Sequence, residues 1–303
     1  MPLNILVTGA GGIIGRRLLP LLQASGHKVI STGRHLPQDL PSVATINGDL
    51  LDEAVRARAF ALLRGCGEHE SAIIHLAAES NVAIASAGHG AVFNTNVLLT
   101  RLMLETAATE NISRFLFAST GYVYGKSEIA PIPEDQVPRP QWIYSATKLA
   151  AEALVQGYST ECGITGTILR MSNVYGPDSP DSTVVGHILS QLQKRKTVNL
   201  ASRTPVRDFI FIDDVTECIC ALLELPATAV EDIFNISTGI GTSAGALADI
   251  ATAMTSGATF RAESLDPNNK DCLILSNERV RERTGWAPRH SIADGLRLCL
   301  ASY

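Results

Sequence analysis

The sequence predicts a doubly wound α/β fold: a parallel sheet covered by helices on both faces, followed by a smaller α/β lobe. Three observations carry this prediction. Short apolar runs alternate with helix-period segments from residue 3 to residue 170. The connections between them are short. The first connection, Gly9-Ala10-Gly11-Gly12-Ile13-Ile14-Gly15, sets Gly9, Gly12 and Gly15 three residues apart between a strand and a helix.

Leu3, Ile5, Leu6 and Val7 read as the buried first strand, and Ile13, Ile14, Leu18, Leu19 and Leu22 as one face of the helix after it. The turn between them aims backbone N–H groups and a helix N-terminus at a phosphate, because the dipole and the unsatisfied amides favour negative charge. Gly9 allows the tight turn, Gly12 the close approach of a pyrophosphate, and Gly15 close helix–strand packing. A tight turn without a ligand is the alternative.

Lys28 to Thr32 is the second strand, ending at Gly33-Arg34. An acidic side chain at this place takes ribose hydroxyls in NAD sites. Here glycine makes room for a 2′-phosphate and Arg34 can pair with it, so NADP is preferred to NAD. Arg34 as a solvated loop residue is the other reading. Ser42 to Ile46 is the third strand, closed by Gly48-Asp49-Leu50. Asp49 is placed to accept from an adenine amine, with Leu50 against the ring, or else to cap the helix predicted over 52–63. Ala72 to Leu76 forms strand four. Its small residues Ala77 and Ala78 leave backbone open to a ligand. His75 reads as a packed histidine. Residues 91–108 form an amphipathic helix carrying Asn96. Phe115 to Ala118 is strand five, ending in Ser119-Thr120. A proline-rich loop leads to a helix from Ile143 to Thr160, then strand six, Thr165 to Arg170.

The second half is less regular. A turn at Asn173 to Pro177 precedes a helix over 182–195, a strand from Phe209 to Ile212, a helix from Asp213 to Leu223, a strand from Ile233 to Ile236 and a helix from Ser243 to Met254. Two further helices flank Gly285-Trp286-Ala287-Pro288. The predicted division is a Rossmann-type dinucleotide-binding domain over 1–171, which also receives segments near 205–224, and a mainly substrate-binding lobe over 172–303, with the substrate between them.

Composition sets bounds. With 303 residues and 46% hydrophobic content the chain can bury a sizeable core. A net charge of −5 argues against nucleic acid or an anionic membrane surface as partner. Lys194-Arg195-Lys196 reads as a solvated helix end. The six cysteines lack metal-site spacing, so no metal is expected, and reduced thiols point to a cytoplasmic protein. No targeting leader and no apolar run of membrane-spanning length is found.

Tyr144 and Lys148 stand at i and i+4 on the predicted helix and share a face. A free tyrosine, pKa about 10, is a poor base at neutral pH. An ammonium one turn away together with a cationic nicotinamide would stabilise the phenolate. Lys148 could also reach the nicotinamide ribose. The hydroxyl at Thr120 can hold a substrate oxygen near the tyrosine. Together these groups give hydride transfer: Tyr144 moves the proton, Thr120 positions the oxygen, and nicotinamide C4 exchanges the hydride.

With these residues in place the chain resembles the NAD-dependent epimerase/dehydratase family of extended short-chain dehydrogenases/reductases, the relatives of UDP-glucose 4-epimerase. The resemblance runs through TGAGGIIG, GDL at 48–50, HLAA at 75–78, FASTGYVYG at 117–125, YSATK at 144–148, LRMSNVYGP at 169–177, RDFIFIDDV at 207–215, FNISTG at 234–239 and TGWAP at 284–288. It implies a catalytic set of Thr120 (Ser119 as fallback), Tyr144 and Lys148. It implies a cofactor site of Gly9, Gly12, Ile13, Ile14, Gly15, Arg34, Asp49, Leu50, Leu76, Ala77, Ala78, Asn96, Tyr144 and Lys148. Substrate contacts would come from Ser80, Thr120, Tyr144, Asn173 and Arg207, the last pairing with a nucleotide diphosphate. A homodimer through the helices of Asn96 and Tyr144 is also implied.

Departures narrow the reaction. Gly121-Tyr122 replace the Asp-Glu pair of the 4,6-dehydratases, and the cysteine of GDP-fucose synthases is missing from this stretch. Epimerisation, or net reduction or oxidation of a sugar carbonyl, remains. Asp266 stands where a second phosphate-pairing arginine is expected, although Arg203 could compensate. A nucleotide sugar is therefore the leading substrate class, with a smaller sugar acid or non-nucleotide carbonyl compound as the alternative. A non-enzymatic dinucleotide sensor is disfavoured by the intact Thr120, Tyr144 and Lys148.

Overall fold

The computed structural model describes residues 1–80, 89–227, 232–264 and 271–302. The chain forms two compact units: residues 1–123, 138–170 and 216–234 make the first, and 124–137, 171–215 and 235–303 the second.

The first unit holds a seven-stranded sheet. Its strands are β1 (Asn4–Thr8), β2 (Lys28–Gly33), β3 (Ala44–Asn47), β4 (Ser71–His75), β5 (Arg114–Thr120), β6 (Thr165–Met171) and, from much later in the chain, β10 (Asp232–Ile236). The order across the sheet is β10-β6-β5-β4-β1-β2-β3. The chain builds outward from β1 in one direction, then restarts at β4 and builds in the other. The switch point lies between β1 and β4, where open α/β sheets bind ligands. The register there pairs Thr8 with His75. All five residues of β1 are buried, as expected of a central parallel strand.

Helices α1 (Ile13–Ala24) and α2 (Glu53–Arg64) follow β1 and β3. Leu18, Leu19 and Leu22 are the buried face of α1, and Ala59, Phe60 and Leu63 that of α2. The helix predicted over 91–108 is broken. Short α3 (His89–Phe93) runs into a π turn at Asn94–Leu98, then α4 (Leu99–Thr109). A π turn inserts one residue into the helical ladder and re-aims the side chain it carries, here Asn96. A 3₁₀ turn (Gly121–Tyr124) follows β5, and α5 spans Ile143–Cys162.

In the second unit β7 (Asn173–Tyr175), β9 (Val206–Phe211), β11 (Gly241–Ser243) and β13 (Cys272–Leu273) form one sheet, with β7, β11 and β13 all bonded to β9 or its ends. β8 (Thr197–Ser202) pairs with β12 (Thr259–Ser264). Helices α6 (Val184–Arg195), α7 (Ile212–Leu223), α8 (Ala244–Ala253), α9 (Glu278–Thr284) and α10 (Ile292–Ala301) complete the described elements. Asn173 to Tyr175, read as a turn, is a strand, because it pairs in parallel with Phe209 to Phe211. Strands β11 and β13, of three and two residues, are too short to leave a pattern, whereas β8 and β12 are six residues long and went unread despite an alternating one. No helix among the described residues is long and apolar enough to cross a membrane.

Candidate active site

The glycine turn is shaped by contacts that admit no side chain. Gly9 has φ +66°, and a Cβ there would lie 2.7 Å from the Ala77 nitrogen, across the β1–β4 switch point. A Cβ on Gly15 would lie 2.6 Å from the Ala10 carbonyl oxygen. Gly11, which the three-residue spacing passes over, is equally constrained, with its missing Cβ 2.5 Å from the His35 carbonyl oxygen. Gly12 is the N-cap of α1 and offers no side chain to its first amides. Those N–H groups are the ones a phosphate takes up. Ile13 and Ile14 are half-buried beside them.

At the end of β2, the Leu36 Cδ2 atom lies 2.9 Å from the position a Cβ on Gly33 would take. Arg34 is exposed. On the adenine side, Leu50 is 4% exposed and belongs to the core cluster of Phe60 and Leu63. Asp49 is exposed and its Oδ1 accepts from Leu51 N–H at 3.0 Å, while the α2 N-cap is Asp52, which accepts from Ala54 N–H at 2.8 Å.

A continuous chain of hydrogen bonds joins β1 to the helix of Tyr144. Ala77 N–H donates to Thr8 Oγ1 (3.2 Å), and Thr8 Oγ1 lies 2.8 Å from His75 Nδ1. His75 Nε2 lies 3.2 Å from Thr100 Oγ1, which itself donates to the Asn96 carbonyl (2.8 Å). Thr100 therefore accepts from His75 Nε2–H, and Nδ1 accepts from Thr8. The imidazole is neutral, with burial pushing its pKa down to about 3 and the Lys148 charge acting in the same direction. Asn96, 1% exposed, accepts from Glu79 N–H (2.8 Å) and donates to the Glu79 carbonyl (3.2 Å) and Thr147 Oγ1 (3.1 Å). Thr147 in turn donates to the Tyr144 carbonyl (2.8 Å). The Asn96 carboxamide is thus engaged by protein groups. It ties Glu79, after β4, to α5, and Ser80 lies exposed just beyond.

Of the two hydroxyls ending β5, Ser119 Oγ donates to Glu152 Oε1, while Thr120 Oγ1 accepts from Tyr122 N–H at 3.3 Å and acts on the Tyr144 phenol to lower its pKa. Ser119 is committed to Glu152, and Thr120 is the hydroxyl that bears on the phenol. Tyr144, Lys148 and Glu152 follow at i, i+4 and i+8 on α5. Lys148 is 2% exposed, with Nζ 4.1 Å from the centre of the Phe117 ring. Burial pushes its pKa down to about 7, opposed by the Glu152 carboxylate. Glu152 is held by Arg170 through contacts of 2.7 Å from Nη2 and 3.2 Å from Nε. This buried pair went unread in the sequence, although Glu152 falls on the same i+4 repeat as Tyr144 and Lys148.

Burial pushes the Tyr144 pKa up to about 12, against the pull of the Thr120 hydroxyl, and the nearby Tyr122 and Glu79 push it the same way as burial. With an ammonium whose own charge is disfavoured by burial, the resting tyrosine is a proton donor.

In the second unit, Arg207 Nη2 pairs with Asp271 Oδ2 at 2.6 Å. Arg203, offered as a compensating cation, is engaged elsewhere, with Nη2 2.5 Å from Asp249 Oδ2 and its guanidinium over Phe260. Asn173 is half-buried on β7, its backbone in register with Phe209. Asp266 lies outside the described residues.

Comparison with known proteins places this geometry among relatives. The model of the NAD-dependent epimerase/dehydratase family matches residues 5–237. A UDP-glucose 4-epimerase from Mycolicibacterium smegmatis is 30% identical over 97% of this chain and 96% of its own. A UDP-glucose 4-epimerase from Thermotoga maritima, solved with UDP-glucose, superposes with a TM-score of 0.85 at 27% identity, covering 98% of this chain and 97% of that one. The Thermus thermophilus UDP-glucose 4-epimerase in complex with NAD gives 0.85 at 26% identity, with 98% of each chain covered.

Proposed function

The chain belongs to the NAD-dependent epimerase/dehydratase family, an enzyme of the extended short-chain dehydrogenase/reductase type, and from that premise we propose that it is an epimerase or reductase of a nucleotide-activated sugar. The observation that carries this reading is Tyr144 with buried Lys148 one turn further along α5, and the Thr120 hydroxyl acting on the phenol from the end of β5.

A nicotinamide dinucleotide fits the residues present, since the cradle at Gly9 and Gly15 is one that any Cβ would fill. The amides of Ile13 to Gly15 would hold its pyrophosphate, Gly12 N–H being given to the Gly9 carbonyl (2.9 Å), and Asp49 would hold its adenine. Leu76, Ala77 and Ala78 would lie along it, Lys148 would take the ribose hydroxyls, and Arg34 would decide between NADP and NAD, pairing with a 2′-phosphate where one is present. When bound, the cofactor supplies hydride exchange at nicotinamide C4 and, in its oxidised form, positive charge. Thr120 holds the sugar oxygen. Tyr144 donates a proton to that oxygen as a carbonyl is reduced, and takes one from the hydroxyl when the sugar is oxidised. Lys148 stabilises the phenolate left behind. The Asn96–Thr147 brace keeps α5, and so the phenol, in register with the segment after β4.

Arg207 is the diphosphate-pairing residue of this reading, with Asn173 and Ser80 as further contacts. Similarity to enzymes solved with UDP-glucose supports a nucleotide sugar. A homodimer through the helices of Asn96 and Tyr144 fits the exposure of Phe93 and Ile143 on them. The test is a thermal-shift screen of UDP, dTDP and GDP and their sugars with NAD⁺ or NADP⁺ present. A shift by at least one nucleotide sugar is expected. Shifts by the cofactor but by no nucleotide would favour a small non-nucleotide carbonyl compound instead. Tighter NAD⁺ than NADP⁺ would remove the role given to Arg34.

A further inference from the structure

The second unit neutralises its own anion-binding arginine. Arg207 lies on β9, and β13 runs parallel to it with Cys272 opposite Val206 and Leu273 opposite Arg207. This register brings Asp271, the residue before β13, beside Arg207. The Asp271 carbonyl accepts from Val206 N–H at 2.9 Å and from Arg207 Nη1 at 3.1 Å, while Nη1 also donates to the Val206 carbonyl at 2.8 Å. The carboxylate takes Nη2 at 2.6 Å. The arginine side chain is 14% exposed and the aspartate 39%.

The backbone bonds already hold the strands together, so the carboxylate is not needed to hold β13 in register. Its separate consequence is electrostatic: one carboxylate oxygen takes Nη2 of the guanidinium and offsets its charge. Resting on the reading of Arg207 as the diphosphate contact, we propose that Asp271 is a specificity-determining residue of that site. An anionic substrate group binds Arg207 only by displacing the Asp271 carboxylate.

This exchange filters by charge. A single carboxylate on a ligand would replace an identical group already tethered in place, and would lose translational freedom for no electrostatic gain. A diphosphate brings more charge and more acceptor oxygens to the same fork, and can prevail. The arrangement therefore selects nucleoside diphosphates over sugar monocarboxylates.

The test is calorimetric titration of the full-length, cofactor-saturated enzyme with inorganic pyrophosphate, free glucuronate and UDP. Asp271→Asn, with Asp271→Ala as a second variant, is expected to tighten pyrophosphate binding about fivefold or more, the scale of a partly exposed ion pair. It should also create measurable glucuronate binding that the unsubstituted enzyme lacks. Adding Arg207→Gln should abolish both gains. No gain in either variant, or a gain that survives Arg207→Gln, would overturn the assignment. Tighter pyrophosphate without binding of UDP, dTDP or GDP would leave Asp271 in its role and remove the nucleotide-sugar reading. Tight UDP binding with no effect of Asp271 would do the reverse.

Discussion

The two units differ in how they hold the groups given chemical roles. In the first, the groups given chemical roles face space or each other. Gly12 leaves the first amides of α1 without a side-chain cap, and Lys148 is buried against an aromatic ring at the cost of its own charge. In the second, charges are matched internally. Arg207 holds Asp271, Arg203 holds Asp249, and Asp214 accepts from the backbone of Arg289 and His290 and meets His290 Nδ1 at 2.9 Å. A dinucleotide is common to a whole family, and a rigid cradle suits it. A substrate must be told from its neighbours, and self-paired charges let the protein set the threshold for binding. Desolvation of Tyr144 and Lys148 in the first unit is the expected accompaniment of a preorganised site.

Substitutions can break this contrast. The largest effect is expected from Gly9→Ala, which sets a Cβ 2.7 Å from the Ala77 nitrogen at φ +66°. Dinucleotide affinity, measured by fluorescence titration, should fall by more than about tenfold, and stability by about 2 kcal/mol. Retained affinity would mean the cradle is not the pyrophosphate site. Next, Asp208→Ala should act on stability alone. Asp208 is fully buried and its Oδ1 accepts from Thr238 N–H (3.0 Å) and Thr238 Oγ1 (2.7 Å), its Oδ2 from Gly239 N–H (2.9 Å). Leaving these donors buried should cost about 3 kcal/mol in urea unfolding, with dinucleotide affinity within about threefold. A large loss of affinity would show that the units do not divide the work as described.

Lys148→Met gives a smaller, pH-dependent signature. The Lys148 pKa is about 7 in the folded chain against an ordinary 10.5. Between those values the unfolded chain binds a proton that the folded chain refuses. This lysine's contribution therefore weakens stability as pH falls from about 10.5 to about 7, and is constant below. In the cofactor-free protein Lys148→Met should flatten that slope and raise the melting temperature at neutral pH while abolishing turnover. An unchanged slope would mean that the amine is better solvated than its surroundings imply.

The sheet was legible because its strands are apolar and its turns carry glycine. The residues proposed to move the proton could be picked out because Tyr144 and Lys148 obey a helical spacing and Thr120 ends a strand. What escaped depends on partners distant in sequence. The π turn that aims Asn96 has no marker in residues 91–108. Leu50 could not be known as core until Phe60 packed on it. The Arg207–Asp271 pair is created by a two-residue strand, and Leu36 fills the space at Gly33 from a loop three residues away.

The most direct measurement is single-turnover formation of reduced nicotinamide, followed by near-ultraviolet absorbance after mixing oxidised cofactor–enzyme with a nucleotide sugar that protects it in the thermal screen. Tyr144→Phe should slow that step by about 10²- to 10⁴-fold while cofactor and sugar affinities stay within a few-fold. A rate within about tenfold of the unsubstituted enzyme would contradict the proton-transfer role of Tyr144 and the reaction built on it.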